Sequence, residues 1–156
     1  MLPRTRRMLL TLMAVVASPL VPLAAQSEDD SRLSYSYVRT LEGRATLASY
    51  GNGPGEEADL HQILQRGDRV RVERGARIEI ALADRNLLRV GDGSDLSLVS
   101  VAFSADGEDR ATRIDLDRGE NVLEVTDDAL GDELPEIRTL TARIFVNEPG
   151  LYRVRT

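Results

Sequence analysis

Residues 67–98 alternate between apolar and polar side chains with a period of two. The segments Arg69–Glu73 and Ala76–Leu82 both follow this alternation, and Arg74–Gly75 forms a turn between them. A period of two places every second side chain on the same face of an extended strand. The sequence therefore predicts half-buried β-strands joined by tight turns, whose apolar face comprises Val70, Val72, Ile78, Ile80 and Leu82.

The same pattern predicts an all-β domain over residues 35–156. Further strands are predicted at Tyr35–Arg39, Arg44–Ala48, Leu87–Val90, Asp95–Phe103, Thr112–Leu116, Val122–Val125, Ile137–Val146 and Leu151–Arg155. We expect the fifth and sixth of these to pair with each other, and the last two to form a final hairpin. About nine or ten strands favour a two-layer sandwich, with a short β-solenoid of stacked hairpins as the alternative.

One segment departs from the period of two. Within residues 56–65, Leu60, Ile63 and Leu64 follow the i, i+3, i+4 spacing of one helix face. Gly67 could end such a helix. We therefore expect a short helical turn here.

Residues 1–25 have the three regions of a secretory signal peptide. Three arginines precede an apolar run of 16 residues, 8–23, and small residues follow it, so cleavage is predicted between Ala25 and Gln26. Residues 26–34 then form a polar spacer. The alternative is an uncleaved membrane anchor, but the run contains Pro19 and Pro22 and is shorter than the ~20 residues of a spanning helix. Export predicts a periplasmic or secreted protein, by the general or the twin-arginine route.

Composition excludes several classes of function. The chain has no cysteine, which excludes disulfides, thiolate metal sites and a cysteine-linked lipid anchor. Its net charge is −6, and removal of the leader's three arginines leaves 17 basic against 26 acidic residues, or −9. That balance disfavours nucleic acid and anionic membrane surfaces as partners.

The central strands carry a resemblance to a known family. The segments Gly67–Val70, Ala76–Asp84, Leu87–Val90 and Leu96–Leu98 resemble the core of the FecR-type domain of bacterial envelope proteins. Asp117–Glu120 and Phe145–Val154 also fit, so the resemblance covers residues 38–156. Arg85 is a departure, because the family usually has glycine there. The motif positions are Gly67, Asp68, Ile78, Glu79, Leu82, Asp84, Gly119, Pro149, Gly150 and Tyr152.

The resemblance implies a sensory or binding role outside the cytoplasm. In signalling members of the family, a cytoplasmic segment engages a sigma factor and precedes a membrane span. Here only seven residues precede the apolar run. We therefore expect the exported half alone, without direct sigma-factor contact.

No residue set in the sequence predicts catalysis, a cofactor or a metal site. His61 is the single histidine and lacks the further ligands or nucleophile that a zinc or catalytic site needs. Oxygen ligands for calcium occur in Gly91–Asp95 and in the acidic loop that contains Asp127, Asp128, Asp132 and Glu133, but neither has the spacing of a known calcium loop. Turn and loop structure is the favoured interpretation of both.

We attribute two surface patterns to a structural role rather than to a binding site. Arg69, Arg71, Arg77 and Arg89 are interleaved with Glu73 and Glu79, which predicts cross-strand ion pairs. Phe145 and Tyr152 fit the core or rim of the last strands better than a sugar-binding platform.

The sequence thus favours a non-enzymatic binding or sensory module that recognises a protein partner in the envelope. Strand addition at a terminal edge is the expected mode of binding. The alternative is a structural protein that binds cell-wall or matrix polymer without signalling. A hydrolase that uses carboxylates is the third possibility, and it would need two acids with opposed pKa values in one cleft.

Overall fold

The computed structural model describes residues 35–50, 53–102, 111–126 and 134–156, so the predicted signal peptide and spacer lie outside it. These ranges contain thirteen strands and no helix. The strands are β1 (Ser36–Glu42), β2 (Ala45–Ala48), β3 (Glu56–Glu57), β4 (Ile63–Leu64), β5 (Arg69–Val72), β6 (Arg77–Ala81), β7 (Leu87–Val90), β8 (Asp95–Ser100), β9 (Arg113–Arg118), β10 (Glu120–Val125), β11 (Glu136–Arg138), β12 (Arg143–Phe145) and β13 (Gly150–Arg155).

The strands form two sheets, which confirms the prediction of an all-β sandwich. Sheet I has the order β13-β10-β7-β6-β1-β4, and sheet II has the order β12-β11-β9-β8-β5-β2-β3. Neighbouring strands are antiparallel except β9 and β11, which are parallel. The strand count exceeds the predicted nine or ten because the short strands β3, β4 and β12 lie in segments assigned to a helical turn or to a longer strand.

One hydrophobic core fills the space between the sheets. The apolar face predicted from residues 67–98 is confirmed, because all five of its members are at most 4% exposed. Sheet I adds Leu88 and Leu123 to this core, and sheet II adds Leu96 and Ile114. The outward residues of the same strands are mostly charged, as the period of two requires.

The predicted helical turn within residues 56–65 is wrong. The segment instead contributes the edge strands β3, which pairs with β2, and β4, which pairs with β1. Leu64 is buried while Leu60 and Ile63 are exposed, so the three apolar residues do not share a face. His61 lies in the turn between these strands with φ +63°, and its N–H donates to the carbonyl of Val38 at 2.8 Å.

The predicted pairings of the C-terminal strands are also wrong. β9 and β10 lie in different sheets, with only Gly119 between them. Residues 137–146 contain a turn rather than one strand, because Thr139 Oγ1 accepts a 3.0 Å bond from the N–H of Ala142, and β11 pairs with β12 across it. The chain then returns to sheet I, where β13 pairs with β10.

Candidate functional site

Strand β13 is the longest edge strand among the described residues. It pairs with β10 over six residues, from Glu120–Arg155 to Val125–Gly150. In the described ranges no strand pairs with its other side. The other edges are formed by β3 and β4, of two residues each, and β12, of three. An unpaired edge of six residues offers main-chain groups to an added strand.

The register shows which main-chain groups of β13 point outward. The N–H of Thr156 donates to the carbonyl of Gly119 at 2.9 Å, so these two residues form a hydrogen-bonded pair. Such pairs recur at every second residue of an antiparallel ladder, so the main-chain groups of Val154 and Tyr152 also face β10. The bond from the N–H of Gly91 to the carbonyl of Glu120, 2.8 Å, gives the same alternation from the β7 side. The N–H and C=O groups of the alternate β13 residues therefore face the free edge. These residues are Leu151, Arg153 and Arg155.

The same three residues carry the outward side chains of β13. Leu151 is 67% exposed. Arg155 Nε donates to Glu120 Oε2 at 2.6 Å, and Arg153 Nε lies 3.7 Å from Glu120 Oε1. Two guanidinium groups thus share one carboxylate at this edge, which leaves it locally positive.

The inward side chains of β13 hold the strand in place. Val154 is buried, and Tyr152 packs against the core while its hydroxyl donates to the carbonyl of Glu148 at 2.7 Å. The expectation for Tyr152 is confirmed. Phe145 lies on β12 and is 56% exposed, so it is not a core residue.

A mostly apolar row crosses the outer face of sheet I and ends at β13. Each member pairs directly with the next across neighbouring strands, and only one of the six is charged. The row is Ile63, Tyr37, Ala81, Leu87, Glu124 and Leu151. Glu124 is engaged by Arg89 at 2.8 Å. An added strand at β13 would continue this row.

All four arginines predicted to form cross-strand ion pairs do so, but of the two predicted glutamates only Glu79 is a partner within the described ranges. Arg77 contacts Glu42 at 2.7 Å, and Arg89 contacts Glu79 at 2.9 Å. On sheet II, Arg69 contacts Asp95 at 2.7 Å and Asp117 at 2.6 Å, and Arg71 lies 3.4 Å from Asp95. A groove of about 400 Å³ on sheet I is lined by the Arg77 and Arg89 pairs, so its charged groups are already partnered.

A buried carboxylate on sheet II was missed by sequence reasoning. Glu136 is 4% exposed and accepts 2.8 Å bonds from Arg138 and Arg143, with Arg113 at 3.8 Å. The hydrogen bond from Arg138 lowers the pKa of Glu136, against the opposing effect of burial, and Arg143 adds to the lowering. The sequence shows only an acidic residue at the end of a loop, because the bond from Arg143 depends on the hairpin of β11 and β12, in a segment predicted as one strand.

Asp84, a motif position, is buried at the turn between β6 and β7. Its carboxylate accepts a 2.5 Å bond from Thr112 Oγ1 and a 3.1 Å bond from the N–H of Asn86. Burial raises the pKa of Asp84, and the bonds from Thr112 and Asn86 oppose the rise. Arg85 next to it has φ +66°, so it adopts the backbone conformation that favours glycine. This turn therefore has a left-handed position that is occupied by arginine.

The remaining motif positions also serve the fold and are not brought together at one site. Gly67 and Asp68 form the turn into β5, where Asp68 accepts a 2.7 Å bond from the N–H of Gln65. Burial raises the pKa of Asp68. Ile78 and Leu82 belong to the core, whereas Glu79 is in an outer-face ion pair. Gly119, Pro149 and Gly150 lie at the ends of β9, β10 and β13.

The candidate metal ligands are engaged in other contacts where the structure describes them. The exposed ring of His61 lies against Tyr37, with 6.4 Å between ring centroids. In the turn 91–95, Asp92 accepts a 3.3 Å bond from the N–H of Gly75, and Asp95 is bound by two arginines. Across the part of the chain that is described, no three His, Cys, Asp or Glu residues are grouped to hold a metal ion. The candidates at 127, 128, 132 and 133 lie outside the described residues.

Comparison of the chain with protein-family models, curated proteins and solved structures gives no match. Within the described ranges, no helix has the length and apolar character needed to span a membrane. The free edge of β13 is thus the feature from which a binding function can be inferred.

Proposed function

We propose that this chain is an exported, non-enzymatic binding module of the bacterial envelope that captures a protein partner by strand addition at β13. The observation that supports this proposal is the six-residue edge strand β13, which is fully paired on one side and, among the described residues, has no strand on the other. Strand addition draws affinity from main-chain hydrogen bonds and specificity from alternate side chains.

Edge strands of this length are usually protected in native proteins. Short strands, inward-pointing charges, bulges or a covering loop prevent unwanted pairing. The edge strands β3, β4 and β12 have two or three residues each, which limits their pairing. β13 has twice the length of β12 and an exposed Leu151, so it is the edge best suited to bind another chain.

Two patterns in the sequence support the same proposal. The leader pattern of residues 1–25 fits export, and the FecR-like motifs are typical of envelope proteins that sense or bind. The partner would then be an envelope protein, with no direct contact to a sigma factor.

Binding of a wall or matrix polymer is the second candidate function. It is favoured by the exposed tyrosines Tyr35, Tyr37 and Tyr50, which are 52%, 37% and 85% exposed. Tyrosine presents both an apolar ring and a hydroxyl to a ligand. A polymer binder would sediment together with purified cell wall, and its binding would depend on these rings rather than on β13.

The strand-addition proposal is tested with Arg153→Pro. This substitution removes an N–H that faces the free edge and leaves the β10-facing groups of Tyr152 and Val154 in place. We expect R153P to remain folded and to lose capture of the envelope partner in affinity purification with mass spectrometry. Glu57→Pro is the matched control, since Glu57 is an exposed residue of the edge strand β3 of the other sheet and its N–H faces away from β2.

Two results would contradict the proposal. One is a folded R153P protein that captures the same partner as the wild type. The other is an E57P protein that loses capture to the same degree, since that would assign the effect to a general loss of structure. Sedimentation with cell wall and no captured protein would support the polymer binder instead.

A further inference from the structure

We infer that the strand captured by β13 is acidic, with carboxylates at two alternate positions opposite Arg153 and Arg155 and an apolar side chain opposite Leu151. This inference rests on the proposed strand addition and specifies the chemistry of the partner.

The outward side chains of β13 determine what an added strand must present. In an antiparallel pair, directly opposed residues point to the same face with Cβ atoms about 4.5–5.5 Å apart. The outward residues of an incoming strand therefore lie beside Leu151, Arg153 and Arg155, on the side away from β10.

The charge of this edge is only partly compensated. The side chains of Arg153 and Arg155 are 69% and 73% exposed, and both form ion pairs with the single carboxylate of Glu120. The next carboxylate of β10, Glu124, is bound by Arg89. The side chains of Arg153, Arg155 and Glu120 together carry a net charge of +1, in a chain whose net charge is −6. Arg153 makes no hydrogen bond with Glu120, and Arg155 has no other carboxylate among the described residues, so a carboxylate opposite each arginine would give each guanidinium group an acceptor of its own with favourable geometry.

A second copy of β13 does not meet this requirement. When two such strands pair around a two-fold axis with their outer faces aligned, the outward residues of one oppose those of the other. Arginine then faces arginine, or it faces Leu151, depending on the register. Neither arrangement compensates the charge, which favours a different, acidic strand as the occupant.

The third position of the captured strand is apolar for a separate reason. Leu151 is 67% exposed and ends the mostly apolar row that crosses sheet I. A side chain opposite Leu151 would extend that row by one member and remove apolar surface from water. The inferred pattern, read along an antiparallel strand, is acidic, any residue, acidic, any residue, apolar.

The inference is tested with two synthetic peptides that differ only in charge. The probe is Thr-Glu-Thr-Glu-Thr-Val-Thr, and its control replaces both Glu residues with Gln. We expect the acidic peptide to bind the purified protein about tenfold more tightly in fluorescence anisotropy at low salt, and this ratio to fall as salt is added. In the double variant R153Q/R155Q both peptides should bind alike, whereas R77Q, which removes an exposed arginine of the central strand β6, should keep the ratio.

The outcomes separate this inference from the proposed function. Equal binding of the two peptides, together with loss of partner capture by R153P, would overturn the acidic pattern and leave strand addition standing. Failure of both peptides to bind would also overturn the pattern. Capture that persists in folded R153P would overturn the strand addition on which the pattern rests.

Discussion

Thr112 Oγ1 donates a 2.5 Å hydrogen bond to Asp84 Oδ2 across 28 residues of sequence. Both residues are at most 5% exposed. Asp84 lies in the turn between β6 and β7 of sheet I, and Thr112 directly precedes β9 of sheet II. The bond therefore links the two layers of the sandwich through a buried polar contact.

The first prediction concerns the pH dependence of this contact. Burial raises the pKa of Asp84 above its usual 3.8, so the folded state holds the carboxyl proton more tightly than the unfolded state does. The stability from this group is therefore fully present below pH 3.8 and is lost as the pH rises through the folded pKa. We expect the free energy of unfolding of the wild type, relative to D84N, to fall over that window. Urea unfolding at a series of pH values measures it, and a difference that does not vary with pH would contradict the prediction.

The second prediction concerns Glu136, whose pKa is shifted in the opposite direction. The pKa of Glu136 is lowered below its usual 4.5, chiefly by the hydrogen bond from Arg138, so its contribution to stability is present above pH 4.5 and lost as the pH falls through the folded pKa. The wild type should be more stable than E136Q at neutral pH and should lose that advantage on acidification. E57Q, at an exposed glutamate of the edge strand β3, is the control and should show little difference at any pH. A free energy of unfolding that stays higher than that of E136Q at acidic pH would contradict the prediction.

The faces of the strands could be predicted from the sequence, whereas their partners could not. Ile78 and Ile80 are buried as expected, because alternation in a half-buried strand fixes which side chains point inward. Alternation carries no information on which strand lies next to it. β13 pairs with β10 rather than with the preceding strand, and this placement is what creates the free edge.

The chemistry of the buried carboxylates could not be predicted for the same reason. Glu136 accepts a hydrogen bond from Arg143 across the hairpin of β11 and β12, and Asp84 accepts one from Thr112, which precedes a strand of the other sheet. Both bonds depend on where the strands are placed, which alternation does not show. The helical spacing of Leu60, Ile63 and Leu64 misled because a turn at His61 separates the first of them from the other two.

The third prediction concerns a buried amide in the core. Asn121 is 0% exposed, and neither its Oδ1 nor its Nδ2 has a hydrogen-bond partner among the described residues. A buried polar group without a partner destabilises the fold by about 1–3 kcal/mol. N121L should therefore raise the free energy of unfolding by about 1–2 kcal/mol in urea titration. L123A, at a core residue of the same strand, should lower it by about 2–5 kcal/mol, and a loss of stability in N121L would contradict the account.

The last prediction tests the point where the chain crosses between the sheets. Gly119 has φ +95°, and a Cβ there would contact Ser94 Oγ and lie 2.6 Å from Ser94 Cα. The same hydroxyl donates to the carbonyl of Glu120 at 3.1 Å and accepts from the N–H of Glu120 at 3.0 Å. G119A therefore strains the backbone and also places a methyl group against a hydroxyl that makes two hydrogen bonds. G75A is the matched control, because Gly75 has φ +76° with nothing within 4 Å of the added Cβ. We expect about 1 kcal/mol of lost stability for G75A and at least about 2–3 kcal/mol for G119A by urea unfolding. Equal losses would show that the clash with Ser94 is relieved at no cost and that only the backbone conformation requires glycine at 119.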